Sequence, residues 1–153
     1  MPRQSKYKPK DTLNSESMYK AALYIRLSVE DGDKEESNSV TNQRMLLTEF
    51  LKENPDIELY DYYIDDGYSG TDFSRPSFER LLEDLYSKRF NTVIVKDLSR
   101  LGRNYIEVGN YIEKVFPLFN IRFIAINDQI DSIKNPESVN SVIVPFKNLI
   151  NDE

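Results

Sequence analysis

The sequence predicts an α/β fold, a mainly parallel central sheet of about four to five strands flanked by helices. Two patterns carry this prediction. Short apolar runs alternate along the chain with stretches whose apolar residues recur at helical spacing. The segments between successive runs are also long enough for crossover helices, which parallel neighbours require and hairpins do not. A chain of 153 residues suits one domain with a real core.

Residues 1–18 set Arg3, Lys6, Lys8 and Lys10 against Asp11 and Glu16 with little apolar content, and read as a disordered arm or an appended remnant. The domain proper spans residues 19–135. Ala21-Ala22-Leu23-Tyr24-Ile25 predicts a buried first strand. Val40, Gln43, Leu47, Phe50 and Leu51 predict a helix that Ser39 caps and Asn54-Pro55 ends. Residues 58–64 alternate and predict a second strand. Gly67 and Gly70 mark a loop, after which Pro76 opens a helix striped by Phe78, Leu81, Leu82 and Leu85. Thr92 to Val95 predicts a third strand, and Ile121 to Ile126 a fourth. Between them a helix runs from about Asn104 to Phe116, carrying Ile106, Tyr111, Ile112 and Val115, with Pro117 near its end. Residues 136–153 predict the start of a long helix with Val142, Phe146, Leu149 and Ile150 on one stripe. Pro145 starts or bends it.

Composition removes several chemistries. With no Cys there is no thiol nucleophile, disulfide framework or iron–sulfur cluster. With no His there is no Ser-His-Asp triad and none of the usual zinc sites. A carboxylate site for Mg²⁺ survives. No apolar run approaches the roughly 20 residues of a membrane span, so the expectation is a soluble, cytoplasmic protein with no membrane partner. Twenty basic against 26 acidic residues leave a net charge of −6, which argues against a dedicated nucleic-acid-binding module but not against a local cationic site.

In open α/β sheets, sites gather outside the carboxyl ends of the strands. The loops after Ile25, Ile64 and Val95 therefore matter most. The first carries Arg26 and Ser28, two apart and on one face of an extended segment. The second carries Asp65, Asp66 and Arg75. Adjacent strand-end aspartates point to opposite faces, which favours caps or arginine partners over metal ligands. The third carries Lys96-Asp97-Leu98-Ser99-Arg100-Leu101-Gly102-Arg103-Asn104. Each arginine alone could pair with a surface carboxylate. Four guanidiniums on one sheet edge of an acidic chain, around a serine, point instead to an anion. Guanidinium fits phosphate oxygens bidentately, so the set describes a serine attacking a phosphodiester while arginines neutralise the transition state.

Tyr24-Ile25-Arg26-Leu27-Ser28, Gln43, Asp66-Gly67-Tyr68-Ser69-Gly70, Arg75-Pro76 and the run from Lys96 to Asn104 together resemble the resolvase/invertase catalytic domain of serine recombinases. The third motif is most similar to the large serine recombinases, or transposon-type serine integrases. The resemblance covers about residues 19–150. It implies a resolvase-like fold and a site-specific DNA strand transferase. Ser28 would form a 5′-phosphoserine link, cutting both strands and rejoining them within a tetramer, to integrate or excise a mobile element. It places Arg26, Arg75, Arg100 and Arg103 on the catalytic arginines, and Gln43 and Asp66 on supporting positions. It implies no metal or nucleotide cofactor. The partners it implies are DNA, held mainly by domains following the long helix, and further copies of the chain. An isolated catalytic fragment is then expected to be inactive by itself. Ser99 stands where many small resolvases carry an Asp that is a candidate proton-transfer group, so that role does not carry over. Asp97 and an arginine are the remaining donors. Two rivals stay open here: a noncatalytic α/β module that senses a phosphorylated ligand, and a Mg²⁺-dependent nuclease or phosphatase using Asp65, Asp66 and Asp97.

Overall fold

The first apolar run extends at both ends into strand β1 (Tyr19–Leu27), whose central residues are fully buried. The computed structural model describes residues 18–27, 39–66, 75–102 and 104–141. Helix α1 (Val40–Lys52) follows, with the Ser39 hydroxyl accepting from the Asn42 N–H at 3.1 Å, the cap expected from sequence. Then come β2 (Ile57–Asp66), α2 (Pro76–Tyr86) and β3 (Thr92–Val95). A 3₁₀ turn (Leu98–Arg100) leads to α3 (Tyr105–Asn110), a π-type turn (Tyr111–Val115) and α4 (Phe116–Leu118). Strands β4 (Arg122–Ala125) and β5 (Ile130–Asp131) complete the sheet, and residues 136–141 are helical. The stripe Val142, Phe146, Leu149 and Ile150 lies outside the described residues. Among the described residues, no helix is long and apolar enough to cross a membrane.

The five strands take the order β2-β1-β3-β4-β5. The first four are parallel, and β5 is an antiparallel edge. This is the mainly parallel α/β sheet expected from the apolar runs. Two cores form because both faces are covered. On one face Ala22, Tyr24, Val93, Val95 and Phe123 pack with Phe78, Leu81, Leu85, Val108 and Phe116. On the other, Leu23, Ile25, Ile94 and Ile124 pack with Leu47 of α1.

Two local features depart from the sequence pattern. The β1–β2 register shifts between Ala21 and Ala22, so Ala21 faces Leu59 while Ala22 faces Asp61. Tyr60 is the extra residue of this bulge, and it inverts the alternation of β2. Ile57 belongs to the α1 face before it, and Ile64 to that same face after it. The uninterrupted helix expected from about Asn104 to Phe116 is also corrected. The chain keeps its helical course but widens into the π turn, and Pro117 falls within the closing α4 turn.

The amino end of the sheet is pinned by Arg122. Its Nε and Nη2 donate to the two carboxylate oxygens of Asp131 at 3.0 and 2.7 Å, and its guanidinium lies 4.5 Å from the centre of the Tyr19 ring. Burial pushes the Asp131 carboxyl up, but the bonds from Arg122 and from the Lys134 and Ile133 N–H groups outweigh it and hold the group below the usual carboxylate range. A carboxyl depressed in the folded state contributes stability above its unfolded pKa and loses it as pH falls through the folded value. Asp131→Asn is therefore expected to cost on the order of 2–3 kcal/mol at neutral pH. The difference from wild type should shrink below about pH 4. Urea unfolding at a series of pH values checks both.

Candidate active site

Parallel pairing sets β1 and β3 side by side in mid-sheet, so the segments leaving their carboxyl ends emerge together. Strand β1 delivers Arg26 as its penultimate residue. Strand β3 runs through Lys96 and Asp97 into the Leu98–Arg100 turn. That turn is gripped on both polarities. On its N–H side, the Asp97 carboxylate accepts from Ser99 N at 3.0 Å. Asp128, from the segment after β4, accepts from Leu98 N at 2.8 Å. On its carbonyl side, Arg26 Nε donates to Arg100 O at 3.3 Å and Arg26 Nη2 donates to Ser99 O. Arg75 Nη1 donates to Arg100 O at 3.3 Å and to Leu101 O at 2.9 Å. Arg100 closes the circuit by donating from Nη1 to Arg26 O at 2.7 Å, and Gln43 Nε2 donates to that same oxygen at 3.0 Å.

Arg75 is the most enclosed of these cations together with Arg100, at 6% and 3% exposure. It is the residue just before α2, with Pro76 in the first turn. Its guanidinium stacks 3.9 Å from the centre of the Phe78 ring, one helical turn on, and its Nη2 pairs with Glu107 Oε2 at 3.1 Å. A desolvated stack of this kind is worth about 2 kcal/mol. The start of α2 is itself fixed by Asp65, whose carboxylate accepts from Ser77 N at 2.9 Å and Phe78 N at 3.0 Å. The Tyr24 hydroxyl donates to the same carboxylate at 2.8 Å. Burial raises the Tyr24 phenol far above its ordinary range, against the pull of Arg75 and with the help of Asp65, so it remains a donor.

Arg26, Gln43, Arg75 and Arg100 are thus brought together. Ser99 sits on the turn with its hydroxyl bonded to Asp97, exposed. Asp66 is exposed at the end of β2, in register with Leu27. Ser28 and Arg103 lie outside the described residues. Of the carboxylates weighed as Mg²⁺ ligands, Asp65 caps α2 and Asp97 caps the turn, 3.5 Å from Arg100 Nε. Among the described residues no three acidic side chains gather as a metal site. Sequence reasoning missed Tyr24, Glu107 and Asp128. Tyr24 reads as one more apolar strand residue, and Asp128 comes from a distant strand end. Glu107 did carry a local signal, since Asn104 and Glu107 have the spacing of a capping box.

The chain matches the family model described as resolvase, N-terminal domain, over residues 21–147. No match is found among curated proteins. The fold is similar to the N-terminal catalytic domain of TP901-1 integrase, at 29% identity and a TM-score of 0.69, covering 86% of this chain and 98% of that one. It is similar to a resolvase-family site-specific recombinase from Streptococcus pneumoniae, at 27% identity and a TM-score of 0.70, covering 88% of this chain and 89% of that one. It also shares its fold with the catalytic domain of an IS607-like serine recombinase, ISC1926 TnpA, at 22% identity and a TM-score of 0.55, covering 86% and 84%.

The neighbouring aspartates at the end of β2 separate the scaffold from the surface. Asp65→Ala strands the Tyr24 hydroxyl and two helix N–H groups, and is expected to cost about 3 kcal/mol. Asp66→Ala is expected to stay within about 0.5 kcal/mol of wild type. Denaturant midpoints of the two variants check the contrast.

Proposed function

The chain belongs to the resolvase N-terminal domain family, and from that premise we propose that it cuts and rejoins DNA with Ser28 as the nucleophile. One observation carries the reading: the guanidinium groups of Arg26 and Arg75 meet on the turn that carries Arg100, Arg100 bonds back to the end of β1, and Ser28 is the next residue after that strand. The Ser28 oxygen attacks the scissile phosphorus and gives up its proton. The bond to the 3′ oxygen breaks, and that oxygen leaves as a hydroxyl after taking up a proton. The products are a 5′-phosphoserine and a free 3′ end. One phosphoester has been exchanged for another of similar energy, so the reverse attack reseals DNA without a nucleotide cofactor. Arg26, Arg100 and Arg103 are assigned to the phosphate, where their positive charge offsets the charge gathered in the transition state. Arg75, Gln43 and Asp66 support them.

The biological reading follows the same line. The domain would serve integration or excision of a mobile element, in a dimer or tetramer, within the cytoplasm. Domains outside residues 1–153 would supply most of the DNA affinity, because a net charge of −6 offers little phosphate-neutralising surface.

In a recombinase carrying this domain, Ser28→Ala is expected to abolish the covalent DNA adduct on a denaturing gel while leaving site binding unchanged. An adduct formed by the Ala variant would exclude Ser28. Arg100→Lys keeps the charge but loses the fork, and is expected to slow single-turnover cleavage on the order of 10²-fold. Near-normal cleavage by this variant would make Arg100 a purely structural residue.

A further inference from the structure

Glu107 stands outside the set of arginines, glutamine and serine assigned above, yet it is the acidic partner of the buried Arg75. A guanidinium is planar, and three contacts hold its plane and its edges. On Arg75 the backbone carbonyls of Arg100 and Leu101 hold Nη1, the Phe78 ring lies under the plane, and Glu107 Oε2 takes Nη2 at 3.1 Å. The carboxylate is anchored in turn. Glu107 sits in the first turn of α3, where its own N–H is bonded to the Asn104 side chain at 2.9 Å. In a reciprocal capping box the glutamate would reach back to the cap residue, whereas here it reaches across to Arg75.

Gly102 supports the same arrangement from the other side. A Cβ on Gly102 would lie 3.0 Å from Glu107 Cγ, and 3.1 Å from both its carboxyl carbon and Oε1. Any side chain at that position presses on the carboxylate that holds Arg75. The glycine between Leu101 and Arg103 is therefore explained by space for Glu107.

We propose that Glu107 is a positioning residue for the recombination chemistry: it orients Arg75 so that Arg75 clamps the turn carrying Arg100, and Gly102 is the space this requires. The inference rests on the functional reading above, and predicts that Glu107 acts through Arg75. Because Arg75 spends Nη1 on the turn's carbonyls and is almost fully enclosed, its carboxylate partner serves the geometry of the turn rather than competing with DNA phosphate.

The test is single-turnover cleavage by the full recombinase at saturating concentration of a plasmid bearing its site. Glu107→Ala is expected to slow cleavage on the order of tenfold, less than loss of a direct transition-state donor, with DNA affinity unchanged. Glu107→Gln should recover most of that loss, because its amide oxygen still accepts from Nη2. Gly102→Ala should slow cleavage in the same direction but by less than Glu107→Ala, because the carboxylate need give only a few tenths of an ångström. The pair Arg75→Ala with Glu107→Ala should lose less than the product of the two single penalties. In the 153-residue chain, the Arg75 Nη2–H signal should be protected from exchange in wild type and lose that protection in Glu107→Ala. If Glu107→Ala does not fold, Glu107→Gln and Gly102→Ala carry the comparison. Cleavage by Glu107→Ala at or above the wild-type rate, or penalties that multiply in the double variant, would overturn the proposal. A wild-type protein that never forms a DNA adduct would instead overturn the functional reading, leaving the exchange measurement to judge the Glu107–Arg75 contact by itself.

Discussion

Two arginine side chains laid against three consecutive backbone carbonyls hold the turn after β3, and the arrangement of the site depends on that grip. A single 3₁₀ turn has little stability of its own, and its carbonyls, pointing toward the protein, need partners. Arg26 and Arg75 supply them from two different elements, with charge-assisted bonds stronger than the neutral kind. Asp97 and Asp128 hold the opposite, N–H side of the turn. Arg100 is carried by this turn and bonds back to Arg26 O, so the cationic cluster is one closed network rather than a set of independent side chains.

The fold makes this grip possible. Pairing of β1 with β3 in the middle of the sheet brings Arg26 beside the turn. The bulge at Tyr60 inverts the alternation of β2, which turns Asp65 toward α2 and Tyr24 rather than toward α1. Asp65 then fixes the first N–H groups of α2, and with them the position of Arg75 immediately ahead. Packing, strand phase and helix capping are thus linked in sequence to the placement of one guanidinium.

Much of this was legible in the amino-acid sequence because it is local. Buried parallel strands read as continuous apolar runs, and the caps Ser39 and Pro76 sit within a residue or two of the helices they start. The gathering of Arg26, Arg75 and Arg100 was also legible, since a parallel sheet places successive strand ends on one edge. What stayed hidden depends on contacts between distant segments. The Tyr60 bulge is a property of how β2 pairs with β1, and no single strand announces it. The π turn at Tyr111 lies in a stretch whose apolar spacing is that of an ordinary helix. Tyr24 looks apolar until Asp65 is set opposite, and Glu107 looks like a helix cap until Arg75, 32 positions earlier, is brought beside it. The direction of the arginines was hidden too. Sequence alone suggested four cations facing an anion, whereas Arg75 and Arg26 direct donors into the turn itself.

The central proposal is that Ser28, which follows β1 in the sequence, forms the covalent bond to DNA. Trypsin cuts after Arg26 and Lys34, and the peptide Leu27–Lys34 contains Ser28 as its sole hydroxyl-bearing residue. Mass spectrometry of the trapped protein–DNA complex, after nuclease and trypsin digestion, therefore reads the attachment site directly. A nucleotide phosphate is expected on the Leu27–Lys34 peptide. Attachment to a peptide carrying Ser37, Ser39, Ser69, Ser74 or Ser99 instead would contradict the proposal.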